Sequence, residues 1–362
     1  MICLFVDALN PNYLNYMPFL NSVKGGCLHG YLEVPLGYTG NIASFVSGVW
    51  PDKHKIFDLF VPDETPKNKI NSKYLLGLIR LLQNKRLFFT PPKTKAMKYF
   101  KTSLDKNWAQ KDCLNYPTVF DLVERSGKSF ESIDWPNYFV GRKAKIFFSN
   151  NMENVLKLTL NSSSDFILAH FLDLEKAHIL GVDSLEIKDI CKGIDNSIKK
   201  LWEKDKNILI FSDHGMDNFE KEVDIGSEIK KLGLKFGQDF LYVIGSTSVE
   251  FWFKNKDAKK KVIELLKNLK YGKIVNQKEF HLNTGSLIFL ADFKTGFYPN
   301  FFSEKRLKAM HGWNPKEQKS YYVLKNSLGK TGRKDAKMVD FLPTILKLMG
   351  LHSVRVDGKP LV

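Results

Sequence analysis

Three short, nearly unbroken apolar runs, each leading into an acid, constrain this chain more than any other feature. They are Ile2–Val6 before Asp7, Phe166–Leu172 before Asp173, and Ile208–Phe211 before Ser212 and Asp213. Runs this short and continuous suit strands buried on both faces, as in a parallel sheet covered by helices. Helical patterns lie between and after them: Thr39–Gly48 with Ile42, Phe45 and Val46 on one face, Pro117–Gly127, and Met338–Leu348 with Gly350 behind it. Strand and helix in alternation predict an α/β fold on a doubly wound, mostly parallel sheet. In such sheets the carboxyl ends of the strands form the ligand crevice, so acids far apart in sequence can converge there. Any one of them alone serves equally well as a helix cap.

Two segments read as additions to this core. Residues 61–116 form a basic, proline-punctuated, helix-prone insertion, and residues 240–290 read as strand, strand, helix and strand, a small α+β cap. The core is then 1–239 together with 291–362. The chain carries 55 Lys+Arg against 39 Asp+Glu, a net charge of +16. That excess is concentrated: residues 61–112 hold twelve Lys/Arg against four Asp/Glu, and residues 303–337 hold ten against three, leaving the remainder close to neutral. Such blocks are either solvated faces or fields that attract an anionic partner. Nucleic acid is one candidate, although neither block carries a zinc-finger spacing or an RNA-binding aromatic motif. Four scattered cysteines, Cys3, Cys27, Cys113 and Cys191, read as reduced thiols of a cytoplasmic protein. No apolar run approaches the roughly 18 residues of a membrane span, and no basic leader precedes an apolar stretch of secretory length. With 43% hydrophobic residues the chain can build a sizeable core, which excludes disorder as a description of the whole.

The residues that carry chemistry cluster near the strand ends. Phe211-Ser-Asp213-His214-Gly-Met216 sets an acid beside an imidazole, and Asp173-Leu-Glu-Lys-Ala-His178 and Met310-His311-Gly312-Trp313 add to them. Carboxylate oxygen and neutral imidazole nitrogen are the usual ligands of catalytic Zn²⁺, and mixed sets also suit Mn²⁺ or Fe²⁺. A single histidine is more often a core or surface residue. Together, Asp7, Asp173, Asp213, His178, His214 and His311 supply enough ligands for two divalent ions. Paired ions about 3.5–4 Å apart clamp the attacking and leaving oxygens of an in-line phosphoryl displacement. Thr39 suits the nucleophile, because metal coordination activates a hydroxyl and the N–H groups of a helix start favour an anion; its plainer reading is a helix cap. Glu175, three residues before His178, is an alternative to Asp173, which is preferred because it ends the apolar run. His54 reads as support for the turn after the Thr39 helix, and His170 as a core or supporting residue within a strand. The aromatic run Phe297–Phe302 reads first as core and second as a stacking surface for a base or apolar leaving group.

These residues resemble, in order, the alkaline phosphatase superfamily and within it the type I phosphodiesterase/nucleotide pyrophosphatase family. The resemblance rests on Asp7, Pro35–Thr39 continuing through Ser47-Gly48-Val-Trp-Pro51-Asp-Lys-His54, the Asp173/His178 pair, Ser212–Met216 and His311-Gly312. Met17–Leu20, Pro117–Gly127 with Trp135-Pro136, Asp340–Thr344 and Asp357–Pro360 extend it over nearly the whole chain. It implies a doubly wound core with two zinc ions, one surrounded by Asp7, Thr39, Asp213 and His214, the other held by Asp173, His178 and His311. Thr39 would attack phosphorus, form a phospho-threonine intermediate and be released by water, with an anionic phosphodiester as substrate. Two features depart from the family pattern. The ligand Asp usually lies four residues before its His, whereas Asp173 lies five before His178 and Glu175 three. The segment His54-Lys-Ile-Phe-Asp58-Leu59 also lacks the Asn that nucleotide pyrophosphatases tend to place after this His. Phosphomonoesterase, phosphonate hydrolase and phosphoryl transferase activities share the same chemistry, and a polyanion-binding protein without turnover is the non-enzymatic alternative.

Overall fold

The computed structural model describes residues 1–37, 39–57, 60–63, 99–103, 113–134, 145–147, 151–301 and 305–362. Most of the basic insertion expected at 61–116, and Trp135-Pro136, therefore lie outside the described residues. In chain order the strands of the two larger sheets are β1 (Ile2–Val6), β2 (Leu28–Glu33), β3 (Phe130–Ile133), β4 (Lys145–Phe147), β5 (Phe166–Phe171) and β6 (Ile208–Phe211). They continue with β7 (Phe240–Ile244), β8 (Ser248–Phe253), β9 (Gly272–Ile274), β10 (Leu287–Ala291), β11 (Ser320–Lys325), β12 (Gly332–Arg333) and β13 (Ala336–Lys337). The helices used below are α1 (Thr39–Ser47), α2 (Val119–Arg125), α3 (Ala177–Leu180), α4 (Leu185–Trp202), α5 (Lys256–Asn268) and α6 (Phe341–Leu348).

The central sheet runs β12-β2-β11-β6-β1-β5-β3-β4, with β13 also on β2. Among these strands only β11 is antiparallel to its neighbours, so the sheet is mostly parallel, as the apolar runs predict. All five residues of β1 are buried. Cys3 and Phe5 enter the core on one face, and Ile2, Leu4 and Val6 the core on the other. Alternation of side chains along a strand requires this, and it explains why the run contains no polar position.

Helices cover both faces. On the first lie α1, α2 and α6, contributing Phe45, Phe120 and Phe341 to the core. Thr118 and Asp121 cap α2 reciprocally, so two of its otherwise unpaired N–H groups are satisfied. On the second face α4 begins at Ser184, whose hydroxyl accepts from the Ile187 amide. It buries Ile187, Cys191, Ile194, Ile198 and Leu201, the four-three spacing of one helical stripe. Full burial of such a side chain is worth about 1.5–3 kcal/mol. A separate antiparallel sheet, β7-β8-β10-β9, is joined by α5, and its core includes Met310 and Trp313 on either side of His311. Among the described residues no helix is long and apolar enough to cross a membrane.

Helix α1 is fixed against the strand that leads to Asp213. Phe45 stacks on Phe211 with ring centroids 4.5 Å apart, and Phe211 lies 5.4 Å from Phe5. Buried His54, in the turn Pro51–His54, sits 2.9 Å by Nε2 from Ser44 Oγ and accepts the Ile56 amide at Nδ1. It therefore ties the chain after α1 back to the helix. Burial pushes its imidazole down from 6.5 to about 3. Between those values the unfolded chain binds a proton that the folded one does not, so this contribution to stability is lost as pH falls below about 6.5. His54→Gln should flatten the dependence of unfolding free energy on pH by up to roughly 1.4 kcal/mol per pH unit between pH 6 and 4. Urea unfolding of both proteins at several pH values measures it.

Candidate active site

Register brings the strand-end residues together. Phe5 of β1 aligns with His170 of β5 and with Phe211 of β6, so the chain leaves all three strands at the same sheet edge. The Asp7 amide still donates to Phe171 O, which keeps Asp7 at the middle of that edge. Asp213 follows Ser212, whose hydroxyl donates to His214 O at 2.7 Å and accepts from the Leu9 amide at 2.9 Å. Ser320 Oγ donates to Ser212 O, and Asn41 Nδ2 donates to Asp213 O at 2.8 Å. The Asn41 bond ties the first turn of α1 to the Asp213 turn. Thr39 opens that helix; its side chain lies outside what is described.

Two groups of side chains result. Glu175, His178 and His311 bring one ligand atom each within 4.8 Å of one another, and so do Asp7, Glu175 and His214. His214 Nε2 is also 3.4 Å from Asp213 Oδ2 and 3.5 Å from Asp7 Oδ1. His311 stacks on His214, with centroids 3.7 Å apart, and lies 5.2 Å from His178. Asp173, the acid preferred from the sequence, does not join these groups. The strand stops at Phe171 and a helical turn starts at Asp173, which pairs with exposed Lys176 at 3.4 Å. The same turn carries Glu175 inward, and three residues later His178 follows on the same helical face, with Glu175 Oε2 3.1 Å from His178 Nε2.

Hydrogen bonds to backbone carbonyls fix how the imidazoles are turned. Carbonyl oxygens only accept, so His178 Nδ1–H donates to Ala309 O and His214 Nδ1–H to Gly215 O, leaving both Nε2 atoms turned toward the carboxylates. Burial, then the negative charges of Asp7 and Glu175, push the Asp213 carboxyl well above its usual range. Burial would also raise Glu175, but the His178 imidazole together with His214 and His170 holds the carboxyl below its ordinary value. Burial would lower His178, and Glu175 in turn raises it; burial and the charges of His214 and His178 hold His311 well below 6.5. Among the described residues Asp7 Oδ1, Glu175 Oε1 and Asp213 Oδ1 are buried and accept no hydrogen bond. Buried carboxylate oxygens left this way are costly unless a cation compensates them, so the donor set fits divalent ions.

Several supporting residues carry no motif. His170, stacked on Phe5 at 4.5 Å, reaches Asp7 Oδ2 with Nε2 at 3.3 Å and Asp134 O with Nδ1 at 3.2 Å. Gln318 accepts from the Gly312 amide and donates to Met310 O, bracing His311 on both sides, and Thr247, next to β8, donates to His311 O. Phe297 is core, and Phe301 packs on Tyr242.

A family model for type I phosphodiesterase/nucleotide pyrophosphatase matches residues 1–314. The chain belongs to that family. It is a hydrolase of phosphoric ester bonds, and members of the family are typically metal-dependent. No curated protein matches the chain in sequence. Among solved structures it is similar to murine ectonucleotide pyrophosphatase/phosphodiesterase 5, at 12% identity and a TM-score of 0.72. An inactive variant of the murine protein in complex with AMP gives the same identity and TM-score, and the human protein gives 15% and 0.73. Each comparison covers 99% of this chain and 97% of the other. At these identities the likeness shows the fold, an alkaline phosphatase-like α/β core, and the family match carries the activity.

In this phosphodiesterase the Asp213–His214 turn needs glycine behind it. A Cβ on Gly215 would lie 2.5 Å from Lys319 O and 3.2 Å from Gln318 Cγ. Gly215→Ala should lower unfolding free energy by about 1–3 kcal/mol. Gly25→Ala, whose Cβ would meet nothing within 4 Å, should stay within about 0.5 kcal/mol. Chemical unfolding of both variants measures the difference.

Proposed function

We propose that this chain hydrolyses anionic phosphodiesters through Thr39 with the help of two divalent cations. The observation that carries this reading is the pair of buried side-chain groups with unsatisfied carboxylate oxygens at one sheet edge. Asp7, Asp213 and His214, with Thr39, would hold one cation, and Glu175, His178 and His311 would hold the other, Glu175 taking the place that the sequence assigns to Asp173. When bound, the cations stabilise negative charge on the phosphoryl oxygens and lower the pKa of the Thr39 hydroxyl. Zinc fits the mixed N/O set best, and Mn²⁺ or Fe²⁺ also suit it.

Thr39 Oγ attacks phosphorus and the bond from phosphorus to the leaving oxygen breaks, the hydroxyl proton of Thr39 ending on the departing alcohol; water then attacks the phospho-threonine, breaks its Oγ–P bond, returns a proton to Thr39 and releases the phosphomonoester. The N–H groups at the start of α1 face the anionic group under attack, and the Asn41 bond to Asp213 O keeps that helix start beside the ligands. His170 holds the outer oxygen of Asp7, and Ser212 fixes the turn that aims Asp213. The basic blocks support an anionic substrate; Lys308 in the second runs alongside the site, its amide bonded to His178 O. AMP in the inactive murine neighbour makes nucleotide diesters the first class to test. The four cysteines, all buried free thiols, support a reducing cytoplasmic setting.

Thr39→Ala should keep the unfolding midpoint and lower turnover of a generic aryl phosphodiester by more than about 1,000-fold. Undiminished turnover would remove Thr39 from the mechanism. His170→Phe preserves the stack on Phe5 while deleting the bond to Asp7, and it should weaken divalent-cation binding by roughly 10–100-fold in a chelator competition assay. Unchanged affinity would reduce His170 to a packing residue.

A further inference from the structure

Glu175 is the one ligand candidate that belongs to both side-chain groups among the described residues. Its Oε2 faces His178 Nε2 at 3.1 Å, its Oε1 is buried and accepts no hydrogen bond, and a carboxylate oxygen of Glu175 lies within 4.8 Å of ligand atoms of both Asp7 and His214. Resting on the two-cation reading above, we propose that Glu175 is a carboxylate bridge. One oxygen serves the cation at His178 and His311, and the other serves the cation at Asp7 and His214.

Local sequence explains why this chain can do so. Glu175-Lys-Ala-His178 has the Glu-x-x-His spacing that di-iron and di-manganese carboxylate proteins place on helices lining their metal pairs. Residues three apart on a helical turn share a face, so the carboxylate and the imidazole enter the site side by side. The glutamate has one more methylene than an aspartate, which extends its carboxylate past His178 toward Asp7. Paired catalytic ions sit about 3.5–4 Å apart, a spacing one carboxylate spans with its two oxygens. Burial holds Glu175 in this position, since it is only 7% exposed.

A bridge makes the two cations interdependent. The first to bind fixes the Glu175 rotamer and so prepares the second position, and the shared negative charge offsets repulsion between them. The spacing of the pair is then set by the protein and not by the substrate.

The test uses the full chain, stripped of metal and titrated with Mn²⁺, followed by equilibrium dialysis and electron paramagnetic resonance. The expected wild-type result is two Mn²⁺ per chain with an exchange-coupled spectrum. Glu175→Gln, a neutral isostere, and Glu175→Asp, too short to span both positions, should each lose the coupling and bind Mn²⁺ more than about 100-fold more weakly at one position or both, beyond the usual effect of a supporting residue. Asp173→Asn should leave stoichiometry and coupling unchanged. Thermal unfolding of each variant confirms a folded chain, and the Asp variant alone decides the matter if the Gln variant does not fold. Two uncoupled Mn²⁺ in the wild type, or a coupled pair that survives either Glu175 variant, overturns the bridge and leaves the two-cation reading standing. Fewer than two Mn²⁺ in the wild type overturns both.

Discussion

Everything at the site depends on the pairing of β1 with β5 on one side and β6 on the other. With Phe5 level with both His170 and Phe211, three separate segments leave the sheet at one edge, and their acids meet without any side chain having to reach far. Parallel pairing has a cost, since the strands must be buried on both faces and joined by long crossovers. Here the cost is met by two hydrophobic cores, and the reward is a convergence of carboxylates that no local stretch of sequence could produce.

That convergence creates a second constraint. Asp7, Glu175 and Asp213 share a small buried volume with four histidines, and mutual repulsion and desolvation would expel them if the backbone could yield. It is braced instead. Ser212, Ser320 and Asn41 hold the Asp213 turn, Gln318 and Thr247 hold the carbonyls and amides around His311, and His170 holds Asp7 from behind. Gathering like charges costs stability, and a bound cation, as proposed above, would offset that cost. Thr247 belongs to the segment around β7 and β8, so the separate sheet also touches the carbonyl of His311.

The sequence makes the sheet class, the strand-end acids and most of the histidines legible, because continuous apolar runs and the Asp-His pair are local signals. Glu175 is harder to read. Asp173 ends an apolar run, but the strand stops two residues earlier, and the phase of the helical turn that follows decides which acid faces inward. The Glu-x-x-His spacing was the available clue. His170 looks like one polar residue in a buried strand, and its contact with Asp7 exists only through the register of β1 against β5. Asn41, Gln318 and Thr247 act through tertiary hydrogen bonds with partners 64 to 172 residues away, or through short loops whose geometry depends on those partners. Residues 64–98, which carry much of the first basic block, lie outside the described residues, so its place relative to the site rests on charge alone.

The claim at the centre of this account is a covalent path through Thr39, and the stereochemistry of the reaction at phosphorus tests it most directly. Two in-line displacements each invert the configuration. A diester made chiral at phosphorus should therefore be hydrolysed with net retention. Net inversion would mean that water attacks the substrate itself, and the phospho-threonine path would be wrong.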